Sequence, residues 1–583
     1  MSYYEKTLSL FFITGFCYVS LYSQTFIKNV TIVDVFNKKL IPAQTVVINK
    51  DVITDVQKAG RKTFPSNAII IDGTGKYLMP GMTDAHVHFF QSGGLYTRPD
   101  ALDLRKYVPY NKEIEMGHQN MEALLKRYLM VGITSVVDVG ATYNFLKLRD
   151  SLSGNKLLPS VYMTGPLLTT YEPQVFMGLK NDEPFRLVST IEDAKKAINE
   201  QLPHRPDFIK IWYIVSLGKE GVEAAARKYE PLIKEIIQEA HKNKLKVAVH
   251  ATERIAAQIA VQNGCDFLVH DIEDEVVSDS FVQLLKSGKV ILSPTLTVMD
   301  NYYNTFGQKI NYNTYDLKSS DPLAIGSIYD IKHLSNSLIP ALKQRFDQPQ
   351  MKIRISRTDS IRKVNLKKLA DGGVTIAAGT DAGNIGTQHA SSFQNELKAM
   401  QESGLSIWQV LQSATINPAK ILDKEMVSGN IAKGKVADMI LLNADPTKSL
   451  ENLTAINKIF KNGNVLDPES LVSKTPELLV QQQLNAYNAR NIEAFLEPYS
   501  DDVEIYSFPN TLISKGKDAM RKSYTDMFAK MPNLHCELKG RIIQGNIVID
   551  RESVSGMISN TKVEATAVYE IKNHKIIKVY FIR

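Results

Sequence analysis

The chain has 583 residues, a hydrophobic fraction of 44%, a charged fraction of 22% and a net charge of +7. This length exceeds one hydrophobic core, because cores stop growing near roughly 250 to 300 residues, so we expect a large domain with one or two smaller ones. The composition is typical of globular proteins. The net charge is small for a chain of this size and the sequence has no stripe of basic residues, which argues against a nucleic-acid partner. We therefore expect a small-molecule substrate.

The first residues have the pattern of an export signal. Lys6 precedes a mostly apolar run over residues 8–22, and Ser23 and Gln24 follow it. The run spans about 15 residues, whereas a membrane-spanning helix needs roughly 20. We predict a signal peptide over residues 1–23, export to the periplasm or the extracellular space, and no stable membrane span. The alternative is a retained membrane anchor.

Removal of that segment leaves two of the three cysteines, Cys265 and Cys536. They fall in regions that we assign to different domains, so we expect no disulfide framework even in an oxidising compartment. Neither cysteine is placed to bind a metal. We predict that both are ordinary buried thiols.

Two β-rich segments flank the central part of the chain. Residues 24–78 contain short β-branched runs separated by turn residues, and residues 426–468 have the same texture. Neither segment looks complete alone. We predict that they pair into one small flanking β-sandwich.

Residues 79–425 alternate apolar, strand-like runs with helical stretches such as 223–243, a pattern typical of parallel strands joined by helical crossovers. Eight strand-like runs can be counted, at residues 79–88, 134–139, 160–164, 207–212, 246–250, 267–270, 290–294 and 374–380. Eight such units close a barrel. We therefore predict an α/β fold with a (β/α)8 TIM barrel.

The connection between the seventh and eighth predicted strands is unusually long. It covers residues 300–357 and is rich in Tyr and Asn. It is either a substrate lid or a variable insertion packed on the barrel rim.

After Pro468 the pattern changes to a helix over residues 477–499 and then to strand-like runs, which predicts a separate α+β domain over 474–583. The stretches AYNARNIEAFLEPYSDDVEIY and VYEIKNHKIIKVYFIR resemble the SnoaL-like, nuclear-transport-factor-2-like (NTF2-like) cone. Domains of this kind bind small ligands, catalyse isomerisations or dimerise. Five aromatic residues are either core or the lining of a cone pocket: Tyr506, Phe508, Tyr569, Tyr580 and Phe581.

Histidines mark the ends of several predicted barrel strands. His86 and His88 are two residues apart at a strand end, so both side chains point to one face. Such a pair alone is weak evidence, but His250, His270 and Asp381 also stand at the carboxyl ends of strands, where barrel active sites are built. Imidazole and carboxylate ligands suit zinc and similar ions. The pattern therefore predicts a metal site.

With these residues the chain resembles the amidohydrolase superfamily over nearly all of residues 26–468. The resemblance rests on His-x-His in LMPGMTDAHVH, a Lys in RPDFIKIWY on the fourth strand, one His on each of strands five and six, and an Asp after strand eight. The stretches GITSVVDVG, SATINPAKIL and GNIAKGKVADMILLNADP match as well. The resemblance implies six metal-site residues: His86, His88, Lys210, His250, His270 and Asp381.

Lys210 decides how many metals to expect. A lysine in an apolar strand should have a lowered pKa and react as the free amine, which permits carboxylation to a carbamate able to bridge two cations. By resemblance to prolidase-like members, we favour a carboxylated Lys210 and two divalent ions per chain, with zinc as the expected metal. The alternative is a mononuclear site in which Lys210 is a structural or substrate-contacting ammonium.

The ligands imply hydrolysis. A divalent metal lowers the pKa of bound water from about 15.7 toward 7 and polarises a substrate carbonyl. Asp381 is then the expected catalytic residue, because it can accept the proton of the attacking water and return it to the leaving nitrogen. The alternative is that Asp381 is a metal ligand only.

Four further residues lie near the predicted rim. His389 and Tyr213 are candidates for substrate contact or for packing, and Glu253 and Asp271 are candidates for orienting ligand histidines. We assign none of them a catalytic role.

The leading prediction is an exported metal-dependent hydrolase that cleaves an amide-type carbon–nitrogen bond in a dipeptide, as prolidases do, or in a cyclic amide, as imidazolonepropionase does. Lactones, carbamates and other esters are alternative substrates for the same metal site. A rival of another class is a ligand-binding protein that acts through the C-terminal domain. That domain could instead drive a homo-oligomer.

Overall fold

A computed structural model describes residues 23–60, 63–558 and 561–582. The predicted signal peptide lies outside the described residues, apart from Ser23. Within the described part, no helix is long and apolar enough to cross a membrane.

The described chain begins with five strands: β1 (Thr25–Asp34), β2 (Lys39–Asn49), β3 (Val52–Lys58), β4 (Ile69–Asp72) and β5 (Tyr77–Pro80). β1 pairs antiparallel with β2, and parallel with β4 and β5, while β3 pairs with β2. The buried side chains of Val30 and Ile32 are two residues apart, as expected when one face of a strand is covered.

The central region contains ten short strands: β6 (Met82–Val87), β7 (Ile133–Asp138), β8 (Ser160–Met163), β9 (Leu167–Thr169), β10 (Phe185–Leu187), β11 (Phe208–Trp212), β12 (Lys246–His250), β13 (Phe267–Val269), β14 (Ile291–Ser293) and β15 (Thr375–Ile376). They form two sheets, β6-β7-β8 and β10-β9-β11-β12-β13-β14-β15, in which every pair is parallel. The predicted mixed α/β class with parallel strands is confirmed.

Backbone hydrogen bonds connect both edges of the three-stranded sheet to the seven-stranded sheet. The N–H of Ala85, in β6, donates to the carbonyl of Ala378, beyond β15, at 2.9 Å. At the other edge, the Asp207 N–H donates to the Met163 carbonyl at 2.9 Å, between β11 and β8. These bonds support the closure of the parallel strands into a (β/α)8 barrel. That closure stays a prediction.

The prediction of one strand over residues 79–88 is wrong. The chain breaks at Gly81, so that β5 belongs to the first sheet and β6 to the parallel region. Pro80 has no N–H to continue a ladder, and a Cβ at Gly81 would lie 2.2 Å from the Thr134 hydroxyl oxygen. The close backbone approach at this glycine lets the chain change sheets.

The central region carries fourteen described α-helices: α1 (Tyr110–Met130), α2 (Tyr143–Leu152), α3 (Ile191–Gln201), α4 (Val222–Lys242), α5 (Arg254–Gln262), α6 (Asp279–Ser287), α7 (Thr297–Phe306), α8 (Thr314–Ser319), α9 (Pro322–Tyr329), α10 (Leu338–Asp347), α11 (Pro349–Asp371), α12 (Ser392–Glu402), α13 (Ile407–Ala414) and α14 (Ile416–Ala419). The predicted helix over 223–243 corresponds to α4. The long connection over 300–357 is mostly helical, since it includes α8 to α10, most of α7 and the start of α11.

Strands β16 (Met439–Leu442), β17 (Ile456–Lys461) and β18 (Asn464–Leu466) return to the first sheet. β16 pairs antiparallel with β5, which gives one sheet of eight strands in the order β18-β17-β16-β5-β1-β2-β3, with β4 beside β1. The two β-rich segments are therefore joined in one sheet. Its folding into a sandwich stays a prediction.

The C-terminal region contains three helices and six strands: α15 (Pro476–Ala489), α16 (Ile492–Leu496), β19 (Tyr499–Ser507), β20 (Thr511–Lys515), α17 (Lys517–Lys530), β21 (His535–Gln544), β22 (Ile547–Ser555), β23 (Val563–Lys572) and β24 (Lys575–Ile582). The strands form one sheet, β20-β19-β24-β23-β22-β21. The predicted single helix over 477–499 is wrong, because Arg490 takes a left-handed φ of 54° and ends α15.

The C-terminal region packs on the central region through α9 and α15. One cluster of buried apolar residues contains Ile325 and Ile328 from α9 together with Leu479 and Val480 from α15. The Asn485 side-chain amide donates to the Pro322 carbonyl at 2.7 Å across this contact. The two regions therefore share part of their apolar core.

Candidate metal centre

The six residues predicted from strand ends converge on one cavity of about 520 Å³. His86 lies in β6, Lys210 in β11 and His250 in β12. His88 and His270 directly follow β6 and β13, and Asp381 lies in the segment beyond β15. They meet because the carboxyl ends of neighbouring parallel strands lie at the same edge of a sheet.

The closest contacts in this cluster centre on Asp381. Its Oδ1 lies 3.2 Å from the Nε2 of His86 and 3.1 Å from the Nε2 of His88. The ring centroids of His86 and His270 are 4.9 Å apart, and those of His270 and His250 are 4.4 Å apart. Lys210 lines the same cavity and is 1% exposed.

Two of these residues adopt a backbone conformation that is unfavourable for a non-glycine residue. The φ angles of His270 and Asp381 are 77° and 58°. Such a conformation costs about 1–3 kcal/mol and persists where neighbouring contacts impose it. Here the His270 N–H donates to the Ser293 carbonyl at 2.8 Å, and the Asp381 N–H donates to the His86 carbonyl at 2.7 Å.

Neighbouring polar groups fix the orientation of two histidine rings. The Nδ1 of His88 lies 3.0 Å from the Gly140 carbonyl and 3.8 Å from a carboxylate oxygen of Asp138. The Nδ1 of His270 lies 2.7 Å from the Thr295 hydroxyl. Such partners set ring tautomer and direction. Sequence reasoning missed all three, although Asp138 also ends a predicted strand.

Asp84 connects β6 to the segment that precedes Asp381. It is fully buried, and its carboxylate accepts hydrogen bonds from the Thr380 hydroxyl at 2.7 Å and from the Thr380 N–H at 3.1 Å. Burial raises the pKa of Asp84 to about 8. Asp84 therefore holds Thr380, next to Asp381, against the strand that carries His86.

Burial also shifts the pKa values of the cluster itself. It lowers the pKa of Lys210 to about 7 and that of His86 to about 4, because the charged forms lose their water. Burial alone would raise the pKa of Asp381, but the adjacent His86 and His88 hold it well below its usual value. Neutral imidazoles beside a carboxylate are the protonation states that a divalent metal requires.

The donor set fits a divalent ion. One ligand atom each from His86, His270 and Asp381 lies within 4.8 Å of the other two. The Nδ1 of His86 is buried without a hydrogen-bond partner among the described residues. Imidazole nitrogen and carboxylate oxygen are common zinc ligands.

His389 and Tyr213 lie outside the cavity lining. The Nδ1 of His389 is 2.9 Å from the Tyr128 hydroxyl, and its Nε2 is 2.9 Å from the Gln91 carbonyl. Tyr213 is fully buried, and its hydroxyl donates to the Ala226 carbonyl. Both residues therefore have a packing role, which was one of the two alternatives considered from the sequence, the other being substrate contact.

Glu253 and Asp271, the candidates for orienting ligand histidines, make no described hydrogen bond to a histidine side chain. The Glu253 carboxylate accepts from the Thr252 hydroxyl at 3.1 Å. Asp271 lines the metal cavity, and both of its carboxylate oxygens are buried with no hydrogen-bond partner in the described chain. Asp271 therefore faces the cavity instead of holding His270.

The long connection over 300–357 supplies much of the cavity wall. Its side chains there are Tyr302, Tyr303, Phe306, Leu342, Arg345, Phe346, Met351 and Arg354. The Tyr302 hydroxyl donates to the Asn384 side-chain oxygen at 2.7 Å, and Arg98 donates to the same oxygen at 2.6 Å. This connection is therefore part of the site.

The five aromatic residues considered for a cone pocket do not share a cavity. Tyr569 is buried in the apolar cluster, and Phe508 is 59% exposed. Tyr506 and Tyr580 stack with ring centroids 5.0 Å apart. None of the five lines any of five cavities seen in the described residues, which include the metal cavity.

Comparison with known proteins gives two family matches. A model described as the amidohydrolase family matches residues 77–468, and one described as a SnoaL-like domain matches residues 480–579. Among curated proteins, the imidazolonepropionase of Bacillus cytotoxicus is 24% identical over 400 residues, which cover 68% of this chain and 82% of that protein.

Solved structures share the fold of the hydrolase region. A Xaa-Pro dipeptidase with bound methionine in its active site is 21% identical, with a TM-score of 0.57, over 76% of this chain and 100% of that one. The A. niger ochratoxinase is 16% identical, with a TM-score of 0.55, over 76% of this chain and 97% of that one.

A parallel α/β region with a cluster of metal-ligand side chains at its strand ends defines a hydrolase with a candidate metal centre. The family match covers more than half of the chain, so the chain belongs to the amidohydrolase family. Its predicted class, a hydrolase that acts on carbon–nitrogen bonds, is confirmed. The predicted SnoaL-like C-terminal domain is also confirmed.

Proposed function

We propose that this protein is a metal-dependent hydrolase that cleaves the amide bond of a dipeptide or a similar small amide. The observation that carries the proposal is the convergence of four histidines, Lys210 and Asp381 on one cavity. The names of the relatives, an imidazolonepropionase and a Xaa-Pro dipeptidase, support a carbon–nitrogen bond as the target.

The centre is proposed to be binuclear, with zinc as the expected metal and a carboxylated Lys210 as the bridge. The lowered pKa of Lys210, caused by burial, leaves much of its amine neutral near pH 7 and able to react with carbon dioxide. The Asp381 carboxylate offsets only part of the cost of burying the ammonium form. A carbamate would remove that cost by pairing with cations.

The chemistry divides between the metal and the chain. A divalent ion, when bound, supplies Lewis acidity and lowers the pKa of water toward about 7. Asp381, between His86 and His88, accepts the proton of the attacking water and returns it to the leaving nitrogen. Asp138 and Thr295 keep the ligand histidines in place.

The cavity presents charges of both signs, which supports a zwitterionic substrate. Its lining includes the acidic residues Asp271 and Glu273 and the basic residues Arg345 and Arg354. We propose that Asp271 binds the substrate ammonium group, because neither of its buried carboxylate oxygens has a partner among the described residues. A free dipeptide has the matching charges.

Metal content and activity test the proposal. Purified protein should contain about two metals per chain, hydrolyse members of a dipeptide library, and lose activity on chelation. Reconstitution with zinc should need bicarbonate, and the Lys210 peptide should gain the mass of carbon dioxide under mild conditions. One zinc per chain with full activity would contradict the bridging role of Lys210. A protein without bound metal whose activity is not restored by added zinc would contradict the proposed function.

Matched substrates test the charge assignment and the bond class. The same dipeptide should be tested free, N-acetylated and C-amidated, beside an ester, a lactone and a carbamate panel. N-acetylation should lower kcat/KM in the native protein but have little further effect in Asp271→Asn. Turnover of esters or lactones without amide hydrolysis would favour the alternative substrates of the same metal site.

We also propose export by cleavage of residues 1–23, on the sequence pattern alone. N-terminal sequencing of the protein recovered from the producing cells tests this. A retained Met1 in the mature protein would contradict it.

A further inference from the structure

A second large cavity lies where the hydrolase region meets the C-terminal domain. It has a volume of about 370 Å³ and is bounded by α1 and α9 on one side and by α15 and β21 on the other. It belongs neither to the metal site nor to the interior of the cone.

The wall of this interdomain cavity is acidic. Glu113 and Asp330 line it, together with Asp321, and no lysine or arginine is among its described lining residues. The Glu113 carboxylate accepts a hydrogen bond from the Ser92 hydroxyl at 2.9 Å. The Asp330 carboxylate accepts one from the Tyr96 hydroxyl at 2.7 Å. Both carboxylates thus accept from hydroxyl donors, and a second oxygen of Asp330 lies 3.6 Å from the Nε2 of His333.

Three residues that line this cavity each have a polar side-chain atom that is buried without a hydrogen-bond partner among the described residues: Gln91 Oε1, Tyr329 OH and His535 Nδ1. The three residues are 3%, 3% and 5% exposed. A buried polar group without a partner costs about 1–3 kcal/mol, and such groups usually have a partner from protein, water or ligand. Three at one cavity indicate that an occupant supplies the missing hydrogen bonds.

We propose that the interdomain cavity binds a small organic ammonium ion. The ammonium charge pairs with Glu113 and Asp330, an N–H donates to Gln91 Oε1, and the hydrocarbon part lies against the apolar lining residues Met116, Leu124 and Leu484. An anion would face two carboxylates, and a neutral molecule would leave both without a counter-charge. The site is independent of the proposed amide hydrolysis.

The cavity also touches the metal site through one residue. Gln91 lines both cavities and follows the ligand His88 by three positions. Its carbonyl is 2.9 Å from His389 Nε2, which fixes the backbone at this point. The wall that an ammonium ligand contacts is therefore part of the segment that carries His88.

Binding of cyclohexylamine, with cyclohexanol as a neutral molecule of similar shape, tests the proposal. Titration calorimetry of the full chain is run at about pH 8, where the amine is protonated and which lies above the pKa of Asp330, raised by burial to about 6. We expect cyclohexylamine to bind one site at least about tenfold more tightly than cyclohexanol. Glu113→Gln with Asp330→Asn should weaken amine binding at least about tenfold. The exposed neighbour Glu115→Gln is the matched control and should bind as the native protein does.

Two further variants separate this site from the metal cavity and from a folding defect. Asp271→Asn with Glu273→Gln removes acidic groups of the metal cavity and should leave interdomain binding intact. Met116→Trp fills the interdomain cavity, keeps both carboxylates, and should abolish amine binding. Equal binding of amine and alcohol, or amine binding that survives Met116→Trp and is lost in the Asp271 and Glu273 variant, would overturn the proposal.

Discussion

Lys210 is the residue on which the metal count depends. It is 1% exposed at the metal cavity, and burial lowers its pKa to about 7. We expect Lys210→Ala to lose about one metal per chain and to lower kcat/KM by at least about a hundredfold. Metal analysis and peptidase assays test this, with the exposed Lys234→Ala as control. Full activity in Lys210→Ala would contradict a bridging role.

Asp381 is expected to bind metal and to move the proton. Its Oδ1 is within 3.2 Å of both His86 and His88. Asp381→Asn keeps an oxygen ligand but removes the basic group, so kcat should fall at least about a hundredfold while metal content stays close to native. Near-normal turnover with metal bound would instead leave Asp381 as a ligand only.

Glu552 should make stability depend on pH in the C-terminal domain. It is 6% exposed, accepts a hydrogen bond from the Tyr569 hydroxyl at 3.0 Å, and burial raises its pKa from 4.5 to about 7. The folded state therefore keeps the proton to a higher pH than the unfolded state does. The free energy of unfolding should fall as pH rises between 4.5 and about 7.

Glu552→Gln removes this titration and keeps an acceptor for Tyr569. Between about pH 5 and about pH 8 the variant should lose less stability than the native protein, by on the order of 2 kcal/mol. Denaturant unfolding at several pH values measures the difference. The exposed Glu564→Gln should leave the pH dependence unchanged, and an identical slope for Glu552→Gln would refute the prediction.

Among the elements, α11 is expected to contribute to substrate binding. Arg354 on this helix is exposed yet lines the metal cavity, as Asp271 and Glu273 do. We expect Arg354→Gln to raise KM about tenfold for free dipeptides with little change in kcat, since it removes binding that ground and transition states share. C-amidated substrates should be less affected. Arg357→Gln, exposed on the same helix, is the control.

At the scale of the whole molecule, the two domains are expected to unfold together. Ile325 is fully buried in the apolar cluster that both domains share. Ile325→Ala should lower the free energy of unfolding by about 2–5 kcal/mol through lost contacts and a cavity. Calorimetry should show one transition moved to lower temperature. Ile353→Ala, at a site that is 69% exposed, should leave the temperature of this transition unchanged.

Much of the metal centre was predictable from sequence, because strand ends are visible as apolar runs. Each of His86, His250 and Asp381 follows such a run, and parallel strands bring their carboxyl ends to one edge. The resemblance to the amidohydrolase superfamily added Lys210, which an apolar strand alone would not single out. The class of enzyme followed from these residues.

The rest depended on contacts between residues far apart in the chain. The break at Gly81 arises from its close approach to Thr134, and Asp271 proved to face the cavity because neither neighbouring strand offers it a donor. The helices within residues 300–357 took a place in the cavity wall that no local pattern encodes.

The sequence by itself determined the family, the parallel α/β class and the residues that can hold metal, because these depend on local periodicity and on residue type at strand ends. Only the tertiary structure decided which polar groups orient the histidines, which charges line the substrate cavity, and that Glu113 and Asp330 line one interdomain cavity. Those features depend on side chains that packing brings together. Such residues lie far apart along the chain, so no local sequence pattern indicates that they are in contact.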